Sequence, residues 1–241
     1  NYHRVFRENY SRATGKNLFL AWIRNSFMLA GIKVVTTLVV ASMAGYALAR
    51  LKFAGRKALF NLVLFSMMIP GQVTFVSNYL VLRDGIFGLT KLFGGGSLIN
   101  TWTGYVVSTM VGGSAVFIMK QFFEGLPTEL EESARIDGAS VLKTYSRIML
   151  PLAGPALGAL AILTFQGTWN EFFWPLVILT SPPDKYTLTL GLLSFRTTYA
   201  VAFDWGPMLA GTVMSALPIV VMFIVFQRYF VEGISFSGIK G

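Results

Sequence analysis

One stretch settles what solvent this chain folds in: from about Ile23 to Leu48 it carries two charges, Arg24 at its very start and Lys33 inside it. A helix needs about 20 predominantly apolar residues to cross the hydrocarbon core of a bilayer, and this run has them. Four further apolar spans follow, from about Ala58 to Leu82 with Pro70-Gly71 inside it, Trp102 to Phe123, Leu152 to Leu179, and Pro207 to Phe230. Lipid offers backbone polar groups no partner, so only helices and closed barrels cross it. The spans lack the alternation of barrel strands. The expected fold class is therefore all-α, a polytopic transmembrane helical bundle with five spans visible.

Charge is spent accordingly. Only 13% of the 241 residues are charged, against about 25% in soluble domains. The net charge of +9 invites a nucleic-acid reading, but the basic residues sit at the ends of apolar spans, as membrane proteins place them; no nucleic-acid partner is expected. With no cysteine and one histidine, His3, the chain lacks the parts for a zinc site, a thiol nucleophile or a disulfide framework. No metal site and no catalytic residues are expected. The chain opens at Asn1 without a signal-peptide pattern, and upstream sequence is expected.

The connections differ in character. Arg50 to Lys57 is short and basic. Arg83 to Asn100 is Gly-rich, with Gly94-Gly95-Gly96, and reads as a flexible loop. Ser181 to Gly206 holds Pro182-Pro183 and several aromatics, and reads as a connection. If the basic Arg50–Lys57 loop is cytoplasmic, alternation puts 124–151 and the carboxyl terminus on the same side and the other two loops outside. The amino-terminal Arg4, Arg7, Arg12, Lys16 and Arg24 then lie outside, which is acceptable in the remnant of a longer extracytoplasmic connection.

The segment from Glu124 to Pro151 is polar, patterned and long. Leu126 to Gly138 reads as a short helix: Thr128 and Glu131 have capping-box spacing, acidic residues crowd its amino end, and Gly138 stands where a left-handed residue ends a helix. Ser140 then caps a second helix reaching Met149, on which Val141, Leu142, Tyr145, Ile148 and Met149 share a face. Two short amphipathic helices around a glycine turn suit docking into a groove of a partner. A helix lying on lipid is the alternative, opposed by the acidic first half beside an anionic leaflet. A DNA-reading helix-turn-helix is another, and offers only Lys143 and Arg147 to phosphate.

Glu132-Ser133-Ala134, three residues, Gly138, nine residues, then Ile148-Met149-Leu150-Pro151 resembles the EAA loop of ABC importer permeases, with Ser133 where Ala is usual. Ala47-Leu48-Ala49-Arg50 with Phe53-Ala54-Gly55-Arg56 resembles the first cytoplasmic turn of those proteins. Trp169-Asn170-Glu171-Phe172-Phe173-Trp174-Pro175-Leu176, Ser215-Ala216-Leu217-Pro218, and the tail Phe230 to Ile234 with Gly238-Ile239-Lys240-Gly241 are similar to the carbohydrate branch. Over nearly its whole length the chain is similar to the smaller permease subunits of maltose-type importers. Those have six spans, which implies a sixth before Asn1.

The resemblance implies one transmembrane domain over 1–241, containing a cytoplasmic EAA coupling loop at 124–151. It implies a multi-pass subunit of the cell inner membrane that moves a sugar or oligosaccharide, paired with a second homologous permease. Two ATP-binding cassette ATPase subunits would hold ATP and Mg, an extracytoplasmic solute-binding protein would deliver solute, and this chain would bind no cofactor. Glu132, Ser133, Ala134, Asp137 and Gly138 would carry the coupling to the ATPase. The chain has no G-x-x-x-x-G-K-[ST] run, which suits a subunit that leaves hydrolysis to its partners.

Three features keep two readings each. Lys33 either snorkels or pairs with a polar group, or it lines a cavity or subunit contact. Pro70-Gly71 is a kink or a hinge. Asn170, Glu171 and Trp174 either line the substrate pathway or belong to an aromatic belt, Glu171 lying about 30 Å along a helix from Pro151. On an unbroken helix Asn170 and Trp174 share a face. Rival classes are a permease for a non-sugar solute, a secondary transporter, which has no use for a docking loop and tends to show related halves, and a membrane-embedded enzyme, which needs clustered reactive groups.

Overall fold

The computed structural model describes residues 1–7, 9–11, 15, 17–92, 95–199 and 205–235, with backbone alone at 92, 195–199 and 227–235. Gly94, Arg12, Lys16 and the tail Gly238 to Gly241 lie outside the described residues. Helices dominate, and among the described residues there is no strand beyond an isolated bridge between Tyr10 and Asn17. In chain order they are α1 (Tyr2–Arg7), α2 (Leu18–Arg50), α3 (Arg56–Met68), α4 (Gly71–Arg83), α5 (Leu89–Leu92), α6 (Trp102–Thr109), α7 (Gly113–Gly125), α8 (Glu129–Ile136) and α9 (Val141–Thr144). A π turn at Tyr145–Met149 then leads to α10 (Leu150–Leu152), α11 (Gly154–Asn170), α12 (Phe173–Ile178), α13 (Leu188–Tyr199) and α14 (Trp205–Ser235).

Two helices are long and apolar enough to cross a membrane alone: α2, and α14 over Trp205–Phe226. Three more spans qualify only as broken pairs, α3 with α4, α6 with α7, and Val141–Leu152 with α11, the last bent by 74°. Taking each bent pair as one span gives up to five, the number expected, although the fourth span begins in the polar loop at Val141 rather than at Leu152; the break at Pro70 was announced by the sequence. Ile69 is extended at φ −84°, ψ 117°, as a residue before proline must be, so α3 stops short of Pro70. The break after α6 ends at Gly112, extended at φ −98°, ψ 152°, and the Thr37 hydroxyl donates to the freed Met110 carbonyl at 2.9 Å.

The residues group into two compact units. The first comprises Asn1–Lys33, Gly71–Thr109 and Thr164–Val225. Its cores gather Phe19, Trp22, Trp169 and Leu188 in one cluster, and Leu29, Tyr105, Ile178 and Leu190 in another. Polar residues at the start of α2 are built into it. Trp22 Nε1 donates to the Pro183 carbonyl at 2.8 Å, and Asn25 Nδ2 donates to the Asp184 and Tyr186 carbonyls at 2.7 and 3.0 Å. Leu188 N–H donates to Ser26 Oγ at 2.7 Å.

Two expectations about connections change here. The stretch 181–206 is not merely a connection: Pro183–Lys185 forms a 3₁₀ turn and α13 follows, burying Leu188 and Leu190. Its Leu-rich start needed α2 beside it; α13 passes so close to Trp22 that a Cβ on Gly191 would lie 2.1 Å from the indole. The described part of 83–100 is likewise structured. It contains α5, and Leu98 and Asn100 N–H donate to the Leu82 and Ile178 carbonyls at 2.8 and 2.7 Å.

The second unit takes in Val34–Pro70 and Met110–Leu163. Its core joins Ala41, Tyr46 and Leu48 of α2 to Met119 and Phe123 of α7, and to Met149, Ala156 and Leu160. α2 and α7 touch at Gly45, where an added Cβ would sit 2.6 Å from Met119 Cβ and 2.8 Å from the Lys120 nitrogen. Lys120, nearly buried, pairs with Glu124 at 2.6 Å and lies 4.1 Å from the Phe60 ring centroid.

Candidate functional site: the polar loop between α7 and α11

Gly138 adopts φ +76°, the left-handed conformation its position predicted. It ends α8 with paired bonds, Ala139 N–H to the Ala134 carbonyl at 2.9 Å and Gly138 N–H to the Arg135 carbonyl at 3.1 Å. That is the Schellman arrangement, which satisfies carbonyls a helix end leaves open. Ser140 caps α9 as expected, its Oγ accepting from Lys143 N–H at 3.3 Å.

The capping box does not form. Thr128 is helical at φ −72°, ψ −26° and its side chain makes no cap bond. The Glu131 carboxylate is committed elsewhere: it accepts from the Tyr46 phenol at 2.8 Å and lies 3.6 Å from Arg50 Nη1. A basic residue expected at the edge of a solvated loop is thus largely buried. Arg50 Nε donates to the Phe123 carbonyl at 2.9 Å, and Nη2 donates to the Phe123 and Leu126 carbonyls. Neither partner was legible, because the pattern Thr128–Glu131 offered a local use for the carboxylate and Arg50 a cytoplasmic one.

The apolar face expected on the second helix divides. Tyr145 and Ile148 are half-buried and Met149 is fully buried, while Val141 and Leu142 stand 54% and 68% exposed. The reason is the π turn at Tyr145–Met149, which inserts a residue and shifts the phase of the helix. Ile136, at the end of α8, is 86% exposed. Three large apolar side chains therefore stand out around the glycine turn. Of the coupling candidates, Glu132, Ser133, Asp137 and Gly138 are exposed and Ala134 is buried. The Ser133 hydroxyl lies outward and donates back to the Leu130 carbonyl at 3.1 Å, so a serine fits there as alanine would.

Asn170 and Trp174 do not share the face that an unbroken helix would give them, and Glu171 lies in the break between. α11 ends at Asn170 and α12 begins at Phe173. Glu171 Oε1 accepts from the Phe173 and Trp174 N–H groups at 3.0 and 3.2 Å, starting the new helix. Asn170 is exposed, whereas Trp174 Nε1 donates to Ser108 Oγ at 2.8 Å and its ring meets Phe75. Trp169 is buried, stacked on Phe165 with Nε1 donating to the Ser215 carbonyl at 3.0 Å. That is a packing role rather than a place in a belt. Lys33 is half-buried.

The family description "Binding-protein-dependent transport system inner membrane component" matches residues 38–235. The chain belongs to this family. It is accordingly an inner-membrane component of a binding-protein-dependent importer, a transport subunit. This permease is 41% identical over 228 residues to the arabinooligosaccharides transport system permease AraQ of Halalkalibacterium halodurans, covering 95% of this chain and 77% of that one. It is 34% identical to the trehalose/maltose transport system permease MalG of Thermococcus litoralis, covering 97% and 81%. With the sn-glycerol-3-phosphate transport system permease UgpE of Yersinia pestis it shares 32% identity, over 87% and 70%. Among solved structures, a chain of a bacterial ABC transporter involved in import of the acidic polysaccharide alginate superposes with a TM-score of 0.77 at 25% identity, covering 95% of the permease and 78% of that chain.

Proposed function

We propose that the permease forms half of the membrane path of an ATP-driven carbohydrate importer, and that its loop between α7 and α11 docks on an ATPase subunit. The observation that carries this is the glycine turn with Ile136, Val141 and Leu142 exposed around it. Burying a Leu-sized side chain is worth about 1.5–3 kcal/mol, so three such side chains on a polar loop mark a surface made for a protein groove. Glu132, Ser133, Asp137 and Gly138 lie in the same turn and complete the contact, with Ala134 holding α8 from beneath. ATP and Mg reside on two partner ATPases, a second permease completes the path, and an extracytoplasmic binding protein supplies solute. The docking loop and carboxyl terminus face the cytoplasm.

The names of the relatives support an oligosaccharide as solute, and the UgpE likeness supports a phosphorylated polyol as the second reading. The test is uptake by proteoliposomes holding the permease with its cognate permease, ATPases and binding protein. Labelled arabinotriose, maltotriose and sn-glycerol-3-phosphate are offered separately. ATP-dependent accumulation of a trisaccharide is expected. Accumulation of sn-glycerol-3-phosphate alone establishes the second reading, and accumulation without ATP refutes the ATP-driven one.

A further inference from the structure

Ser42, Tyr46 and Arg50 follow one another at four-residue steps on α2, which places them along one side of the helix. Each reaches the docking loop. Ser42 Oγ and Tyr145 Oη are hydrogen-bonded at 2.7 Å. The Tyr46 phenol donates to Glu131 at 2.8 Å while its ring lies 5.2 Å from that of Tyr145. Arg50 pairs with Glu131 and ties down the Phe123 and Leu126 carbonyls, where α7 gives way to the loop. One stripe of α2 thus grips both helices of the loop, α8 through Glu131 and the π turn through Tyr145.

Packing alone does not ask for this. A buried ion pair usually stabilises no better than apolar residues of the same volume, and the surrounding core of Phe123, Met149 and Ala41 would accept them. What a hydrogen-bonded charged pair supplies is a fixed register. The geometry points to Ser42, Tyr46 and Arg50, with Glu131 and Tyr145, as positioning residues that make the docking loop and α2 move as one body, so that a displacement of the loop by the ATPase reaches the membrane helix undiminished. This inference rests on the docking reading above. These residues touch neither solute nor nucleotide. They act by holding the loop, and weakening them lets the ATPase turn over while the membrane helix lags.

The test is the number of ATP molecules hydrolysed per trisaccharide imported by the full complex in proteoliposomes. Tyr46→Phe removes one hydroxyl and keeps the ring contacts, and Glu131→Gln removes the charge that Arg50 meets. Both are expected to raise the ratio about tenfold or more, the size of effect usual for a hydrogen bond to a charged partner. A purely structural role would lower the yield of complex and its melting temperature, leaving the ratio of the surviving complex at the wild-type value, and that result overturns the inference. Where Glu131→Gln fails to assemble, Tyr46→Phe decides alone. A wild-type complex that hydrolyses ATP but imports neither trisaccharide overturns the functional reading and this inference with it. A coupled wild type whose variants keep its ratio overturns this inference only.

Discussion

At Gly138 the backbone φ is +76° and a Cβ added there meets no atom of the described residues within 4 Å. The conformation alone therefore sets the intrinsic cost of a side chain, about 1–2 kcal/mol for a residue with Cβ and least for Asn, which visits this region routinely. Gly138→Val should abolish uptake while the permease still inserts, and Gly138→Asn should keep most of it. Uptake at matched membrane levels checks both. If Asn fails as badly as Val, the partner rather than the backbone demands the glycine. Gly45 presents the opposite case, its space filled by Met119 and Lys120. Gly45→Val should lower the melting temperature of the purified permease and its yield, because the helices must part. Gly138 was legible because a single local conformation requires it and the helix caps on both sides say so. Glu131 was not, since its partners Tyr46 and Arg50 come from a distant helix, and nothing in the local pattern distinguishes a capping carboxylate from a tethered one.

Among elements, the same divide separates what apolar length reveals from what it hides. The five spans were readable because each needs a continuous apolar run, and Pro70 announced one break. The break between Asn170 and Phe173 had a less direct signal: Pro175, which has no N–H for the Glu171 carbonyl four residues back and crowds it, lies beyond the break, inside an aromatic run that otherwise suits a continuing helix. At the break Glu171 turns its carboxylate onto the Phe173 and Trp174 N–H groups that open α12. Reading past Pro175 also gave Asn170 and Trp174 a common face they do not have. Glu171→Ala leaves those donors, one exposed and one half-buried, without that acceptor, at a cost of about 0.5–1.5 kcal/mol per bond, and should lower the melting temperature in detergent. Glu171→Gln keeps an acceptor and should lower it less. Equal losses would mean that the charge matters more than the cap. Trp174→Ala should reduce assembly through loss of the Ser108 bond and the Phe75 contact. Asn170 is exposed and stays the one pathway candidate of the three free to meet solute. Asn170→Ala should then reduce uptake several-fold, the size of one net hydrogen bond of about 0.5–1.5 kcal/mol, with assembly intact; unchanged uptake across sugar concentrations removes it from the path.

For the molecule as a whole the open question is which side the docking loop faces, and the chain offers a clean way to ask. It has no cysteine, so a single introduced thiol is the only one to react. Ser140 is exposed between α8 and α9, but its Oγ caps α9, and losing a cap costs about 0.5–2 kcal/mol. Ser146, also exposed, lies further along the same loop and serves as a second probe. Ser97, exposed in the loop between α4 and α6, is the counterpart. If Arg50–Lys57 is cytoplasmic, crossing the broken span α3–α4 puts Ser97 outside, and crossing α6–α7 brings Ser140 and Ser146 back in. An impermeant maleimide applied to intact spheroplasts should then label Ser97→Cys and spare both others, which should react only after lysis. Labelling at Ser140 and Ser146 in intact spheroplasts would invert the assignment and set the docking loop away from ATP. Protection of Ser140→Cys after lysis, lifted when the ATPase subunits are stripped with urea, would place the partner directly on the glycine turn, since Ser140 is exposed among the described residues.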